Sequence, residues 1–174
     1  MTSIADIGSM VTIRPMRDAD REAVISLIWQ LNRYEGELQS REQPSAVDRD
    51  ITREAAIATF DSDCERAAKR DGALLVAESG GEVVGFLCWL VEEAEPFVRA
   101  EMRRHGYVAD LVVDERHRRK GIGQSLLAEA ERLTRARKLK RLAIGVLVGN
   151  GSALGAYRRF GFTPSSLELQ KALD

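Results

Sequence analysis

The pattern of apolar and polar positions along the chain predicts most of its elements. "VTIRPM" reads as a first strand stopped by Pro15, and Asp18 is placed to cap a helix with an apolar stripe of Val24, Leu27, Ile28, Leu31 and Tyr34. "EGELQSREQPSAVDRD" reads as a polar loop. A second helix is predicted from Thr52 to about Arg70, carrying Ala56, Ile57 and Phe60. "ALLVAESGGEVVGFLCWLVE" holds two strands around a Gly80–Gly81 turn, the clearest hairpin signal in the chain. After the charged connection "EEAEPFVRAEMRRHG" come a strand in "YVADLVV", a helix from Ile122 to about Lys138, a strand in "RLAIGVLV" and a short helix from Ser152 to Phe160. "SLELQKAL" is a candidate last strand. A hairpin sheet followed by β–α–β–α implies a mixed α/β domain without an internal boundary. A single domain over 1–174 is therefore expected, with 1–10 as a flexible N-terminal extension.

Composition narrows the class without fixing the activity. The 174 residues are enough for a proper core, with 44% hydrophobic and 30% charged positions. The longest apolar run, "VVGFLCWLV", is too short to cross a membrane and reads as a buried strand. "MTSIADIGSM" has no basic region followed by an apolar one, so a secretory signal is not expected. Cys64 and Cys88 stand in no metal or redox spacing, which fits a reducing cytoplasm and predicts no metal site. The net charge of −1 conceals an asymmetry: 10 Lys/Arg face 19 Asp/Glu through Glu95, and 16 face 8 from Pro96 onward. Two readings follow, an anion met by the second half and a cation by the first, or halves that interleave and cancel.

"DERHRRKGIGQSLL" (114–127) bears on that choice. A strand, a basic loop, Gly121-Ile122-Gly123 and a helix follow one another. Helix starts offer unpaired N–H groups and partial positive charge, and glycines let an anion approach the backbone. The segment reads as a phosphate cradle, or more simply as a solvated basic turn. A P-loop is excluded because Lys120 precedes its glycine and no Ser/Thr follows. A dinucleotide fingerprint is excluded by Leu126 at the third glycine position, and "GNGSALG" fails likewise at Leu154. No aromatics interleave with the basic run, so a nucleic-acid face is not expected.

What remains is Arg118-x-x-Gly121-x-Gly123 between strand and helix, continued by Asn150, Ala153, Tyr157, Gly161 and Phe162 in "GNGSALGAYRRFGF". With "IRPMRDADREAV" near the start and the Gly80 hairpin, this resembles the GNAT superfamily of acyl-CoA-dependent N-acyltransferases over most of the chain from Val11. The resemblance implies a central, mostly antiparallel mixed sheet flanked by helices. It also implies an N-acetyltransferase that moves acetyl from acetyl-CoA to an amine of a small molecule or peptide, by direct attack in a ternary complex. A non-catalytic CoA-binding regulatory module of the same fold is the alternative. No nucleic-acid or membrane partner is implied, and dimers are frequent in the family, so a homodimer is an open expectation.

Residue by residue, the resemblance gives Leu111 and Val113 a backbone pairing with the pantetheine arm. Arg118, Arg119, Lys120, Gly121, Ile122, Gly123 and Gln124 are to wrap the pyrophosphate. Asn150 is to hold the pantetheine, and Tyr157 is to lie near the thioester sulfur, where a phenol can protonate the departing thiolate. The base is less determined. Where some family members carry a glutamate, this chain has Ala109 or Gly145. Asp110 is the nearby carboxylate, with three roles open to it: base, substrate anchor or structural acceptor. A water chain that removes the proton is a further route. The acidic residues Glu35, Glu37, Glu92, Glu93 and Glu95 are candidates for attracting a cationic acceptor, or are solvated loop charges.

Overall fold

The computed structural model describes residues 11–42, 44 and 47–173; the expected N-terminal extension lies outside them. Five strands form one mixed sheet in the order β1 (Thr12–Pro15), β2 (Ala73–Ser79), β3 (Glu82–Glu93), β4 (Arg104–Val113) and β5 (Leu142–Ile144). All neighbours are antiparallel except β4 and β5. Helices α1 (Arg21–Glu42) and α2 (Arg53–Lys69) cover one face, and α4 (Ile122–Ala136) covers the other, joined there by Tyr157 and Phe160 of α5 (Gly151–Phe160). A one-turn helix, α3 (Ala100–Arg103), sits in the connection before β4. Among the described residues no helix is long and apolar enough to cross a membrane.

Strand β3 is buried from Val84 to Leu90 because helices cover both of its faces, which is why its sequence is continuously apolar instead of alternating. Phe86, Cys88 and Leu90 pack toward α1 and α2, while Leu87 and Trp89 pack toward α4. The polar end of Trp89 is satisfied there: Nε1 donates to Thr134 Oγ1 at 3.0 Å.

Local chemistry departs from expectation at three places. Asp18 caps nothing; it opens a short 3₁₀ turn, Asp18–Asp20, and α1 begins at Arg21. The carboxylate that organises this corner is Asp20, which accepts from the Arg17 amide at 2.7 Å and from Arg14 at 2.7 and 3.0 Å. Second, α1 runs on through Glu42, into the first half of the segment read as a loop. Leu38 and Gln39 are buried there, and Gln39 binds the returning chain through Asp48 Oδ1 (2.8 Å) and the Arg49 amide (3.2 Å). Those contacts come from tertiary structure and are invisible to periodicity. Third, "SLELQKAL" forms no strand, and Leu167, Leu169 and Leu173 are exposed. Alternation alone supplies no ladder partner, and β5 itself is only three residues long instead of spanning "RLAIGVLV".

Candidate functional site

The site begins where the sheet opens. Strand β5 pairs with β4 only through Gly106, Tyr107 and Val108. At that point β4 carries a bulge: Val108 faces Trp89 and Asp110 faces Cys88, so Ala109 is the extra residue. Beyond it, the β4 edge from Ala109 to Val113 has no strand partner on the β5 side among the described residues. That edge, free of a neighbouring strand, forms the floor of a groove of about 2020 Å³, whose walls include Tyr107–Val113 and Ile144–Val148. Gly145 passes close to the opposite strand; a Cβ there would lie 3.3 Å from the Tyr107 hydroxyl. Any side chain at this position would press the Tyr107 hydroxyl back by a few tenths of an ångström.

At the C-terminal end of β4, Asp114 folds the basic loop. Its Oδ1 accepts from the Arg116 amide at 2.9 Å and Nε at 3.0 Å, and Gln30 donates to Oδ2 at 3.3 Å. The Arg116 side chain, and then these other donors, hold the Asp114 carboxyl well below the usual carboxylate range. Past this turn, Arg119 (φ 61°) and Gly121 (φ 80°) are both left-handed. A non-glycine residue in that region stores strain, so the bend at Arg119 is held by its surroundings. Gly121 is the N-cap of α4 with no side-chain cap, and the first helical turn contains no acidic residue. Hence the Ile122, Gly123 and Gln124 amides lack helix acceptors and are free for an anion. Arg118 folds over the groove: its Nε donates to the Val113 carbonyl at 3.2 Å and its guanidinium lies 5.2 Å from the Tyr34 ring centre.

The other end is acidic. Glu35 on α1 lines the groove and is ion-paired with Arg49. Burial pushes the Glu35 carboxyl up, against the downward pull of Arg49. The loop carrying Arg49 is fixed by Gln39, and by Trp29 Nε1, which donates to the Ile51 carbonyl at 2.8 Å. Asp110 lines the same wall and is raised well above the carboxylate range, first by burial and then by the neighbouring Asp63. Tyr157 enters from α5, packed edge-on against Phe162 at 6.0 Å between ring centres. Burial, with a smaller contribution from Glu35, pushes its phenol up to about 12, so it stays protonated at neutral pH.

The groove thus gathers Asp110, Leu111, Val113, Arg118, Arg119, Gly121, Ile122, Gly123, Gln124, Asn150 and Tyr157 from three separate segments. Lys120 does not line it. Of the acidic candidates only Glu35 lines the groove, whereas Glu92 is engaged by Arg66 (3.6 Å) and Arg70 outside it. Asn150 caps α5, accepting from the Ala153 amide at 3.1 Å. Sequence reasoning missed Arg49 and Asp63. The first carries no local signal. The second does: Asp63 continues the Ala56–Phe60 stripe of α2, so a carboxylate stands where the helix period demands an apolar residue.

An open β4 edge beside a glycine helix start, on a five-strand mixed sheet, defines a family. The model of the acetyltransferase (GNAT) family matches residues 31–162, and the chain belongs to that family. Over 130 residues it is 29% identical to N-alpha-acetyltransferase 30 of Xenopus laevis, a match covering 75% of this chain and 45% of that protein. A GCN5-related N-acetyltransferase of Ralstonia eutropha superposes with a TM-score of 0.71 at 25% identity, covering 94% of this chain and 99% of the other. An aminoglycoside N-acetyltransferase solved with CoA shares the fold, with a TM-score of 0.72 at 16% identity over 98% of this chain and 99% of that one. The chain spans 36% to 60% of the length of the curated relatives it matches.

Proposed function

We propose that this protein transfers the acetyl group of acetyl-CoA to a primary amine of a small molecule or peptide, by direct attack within a ternary complex. The observation that carries the reading is the polarity of one continuous groove. Its β4 edge runs from the anion-seeking start of α4 to the acidic end at Glu35 and Asp110, and Tyr157 also lines it.

Each chain group has a task under this reading. The Ile122, Gly123 and Gln124 amides, with Arg118 and Arg119, hold the pyrophosphate, and the β4 backbone at Leu111 and Val113 pairs with the pantetheine. When bound, acetyl-CoA supplies the activated acyl group. Asp110 accepts a proton from the acceptor ammonium, leaving a lone pair for attack. Tyr157, kept neutral by its environment, donates its proton to the departing sulfur, and the second proton shed by the attacking nitrogen as the amide forms restores the phenol. Glu35 draws a cationic acceptor into the acidic end.

The test is a screen of small amines and peptide N-termini with acetyl-CoA, read by mass and by release of free thiol. The expected result is amine-dependent thiol with a mass gain of one acetyl group. Acetyl-CoA binding without thiol release for any amine would instead make the chain a CoA-binding module.

A further inference from the structure

Asp63 is 1% exposed on the sheet-facing side of α2, in a row with Ala56 and Phe60. Among the described residues no donor bonds its Oδ2. The groups in hydrogen-bond reach of this carboxyl are the Asp110 carboxyl and the Cys88 thiol, and the nearest cation, Arg66, stands 3.6 Å away. Two of these neighbours are brought together by the bulge. Val108 faces the α4 side of the sheet with Trp89, so regular alternation would send Asp110 to that side as well. The extra residue at Ala109 shifts the phase, and Asp110 pairs with Cys88 on the face covered by α2. Asp110 then has the groove on one side and Asp63 on the other.

Two adjacent carboxyls, one buried and one half-buried at the groove wall, resist ionising together, and they bond to each other only when one of them carries a proton. The surrounding charges decide which. Asp63 has Arg66 beside it and the Cys88 S–H to accept from, and burial keeps that thiol protonated. Asp110 instead faces Glu35 of α1, whose charge opposes ionisation, with the partial offset of Arg49. Tyr107 of β4, Glu92 of β3 (drawn toward Arg66) and the Cys64 thiol of α2 are further titratable groups around the pair.

We propose that Asp63 and Asp110 share one proton, and that Asp63 is the positioning residue that makes Asp110 a base strong enough to deprotonate an acceptor ammonium; this rests on the acetyl-transfer reading above. In the resting pair the proton lies on Asp110 and the charge on Asp63. Loss of that proton gives two adjacent carboxylates. The ammonium N–H bond then breaks, its electron pair stays on nitrogen, and a new O–H bond forms on Asp110. That transfer restores the shared-proton state, so relief of like-charge repulsion drives it. After turnover the pair returns the proton to water in the groove, and the cycle balances with one proton released per ammonium acetylated.

The experiment combines carbon-13 NMR titration of aspartate-labelled full chain with the pH profile of kcat/KM for an active amine. It is applied to the parent, Asp63→Asn and Asp110→Asn. One parent carboxyl should titrate well above the usual carboxylate range, and its signal should coincide with the acid limb of kcat/KM. Asp63→Asn removes the like charge and donates to Asp110, so the limb should move at least about one pH unit toward acid, with a plateau lowered about tenfold. Asp110→Asn should remove the limb and lower kcat by about 10²–10⁴ fold, while burial keeps Asp63 above its ordinary value. Ordinary titration of both carboxyls in the parent, or an unmoved limb in Asp63→Asn, overturns the shared proton. Full turnover in Asp110→Asn instead overturns the base assignment and with it the role given to Asp63. Should one variant fail to fold, the titration of the other against the parent still decides whether the proton is shared.

Discussion

The Tyr34 hydroxyl on α1 donates to Asn150 Oδ1 at 3.4 Å, and the same oxygen accepts from the Ala153 amide at 3.1 Å. One side-chain oxygen therefore caps α5 and ties it to α1 across the groove; under the proposed function the amide nitrogen is left to meet a carbonyl of the cofactor arm. Two substitutions separate those tasks. Asn150→Ala should cost about 1 kcal/mol from the lost cap, or about 2–4 °C in Tm, and should also weaken acetyl-CoA binding. Asn150→Asp keeps a capping oxygen and should hold Tm near the parent value, yet still lose affinity. Calorimetry of both variants checks this; unchanged affinity in Asn150→Asp would remove Asn150 from the cofactor site.

The two glycines of the cradle should behave differently. A Cβ at Gly123 meets only Val113 Cγ2 at 3.8 Å, so Gly123→Val should fold normally and weaken acetyl-CoA binding at least about tenfold, roughly 1.4 kcal/mol. Gly121 has open space for a Cβ but a φ of 80°, so Gly121→Val should also cost about 1–2 kcal/mol of stability. Thermal melts with and without acetyl-CoA distinguish the two. Equal affinity in Gly123→Val and parent would remove the anion cradle from the mechanism.

Tyr157→Phe keeps the ring against Phe162 and removes only the phenol. Turnover should fall about 10²–10⁴ fold, toward the lower end because a thiolate already leaves readily near neutral pH, while acetyl-CoA affinity changes little. With the phenol raised to about 12, proton donation should not fail anywhere between pH 6 and 9. The same shift has a stability consequence. A folded value above the unfolded one gives a contribution fully present below about pH 10 and lost as pH rises through about 12. The parent should therefore lose more stability than Tyr157→Phe across that alkaline window, measured by urea unfolding.

Glu35→Gln should raise the KM for a cationic acceptor about tenfold and leave the KM for acetyl-CoA near the parent value. It removes a negative charge from the acidic end of the groove and leaves Arg49 without its partner. Steady-state kinetics with both substrates varied will show it. An unchanged acceptor KM would assign Glu35 to holding the Arg49 loop alone.

Acid stability should divide by the sign of each shift. Arg14, more than the backbone amide of Arg17, holds Asp20 below its ordinary value. Its contribution is thus present above about pH 4 and lost as pH falls through the lowered folded value. Asp20→Asn should cost about 1.5–3 kcal/mol at pH 7 and progressively less below pH 4. Asp110 is shifted the other way, so Asp110→Asn should gain stability over the parent as pH rises above the carboxylate range. Urea midpoints at a series of pH values read both signs.

The sequence by itself determined the elements whose cause is local. The 3.6-residue stripe of α1, the span of α2 from about Thr52, the glycine hairpin and the glycine start of α4 were all legible because period and turn chemistry act over a few residues. The run Asn150 to Phe162 carried the family in the same way, since helix spacing preserves the order of its contacts. Tertiary structure decided the rest. The extension of α1 to Glu42 depends on Gln39 meeting a loop about ten residues away. The strand in "SLELQKAL" failed because a ladder needs a partner edge that alternation cannot supply. The pairing of Asp110 with Asp63 depends on a single extra residue in β4, which turns a side chain from one face of the sheet to the other. Such a phase shift leaves no mark on the apolar pattern, because both faces of this sheet are buried and either phase satisfies it.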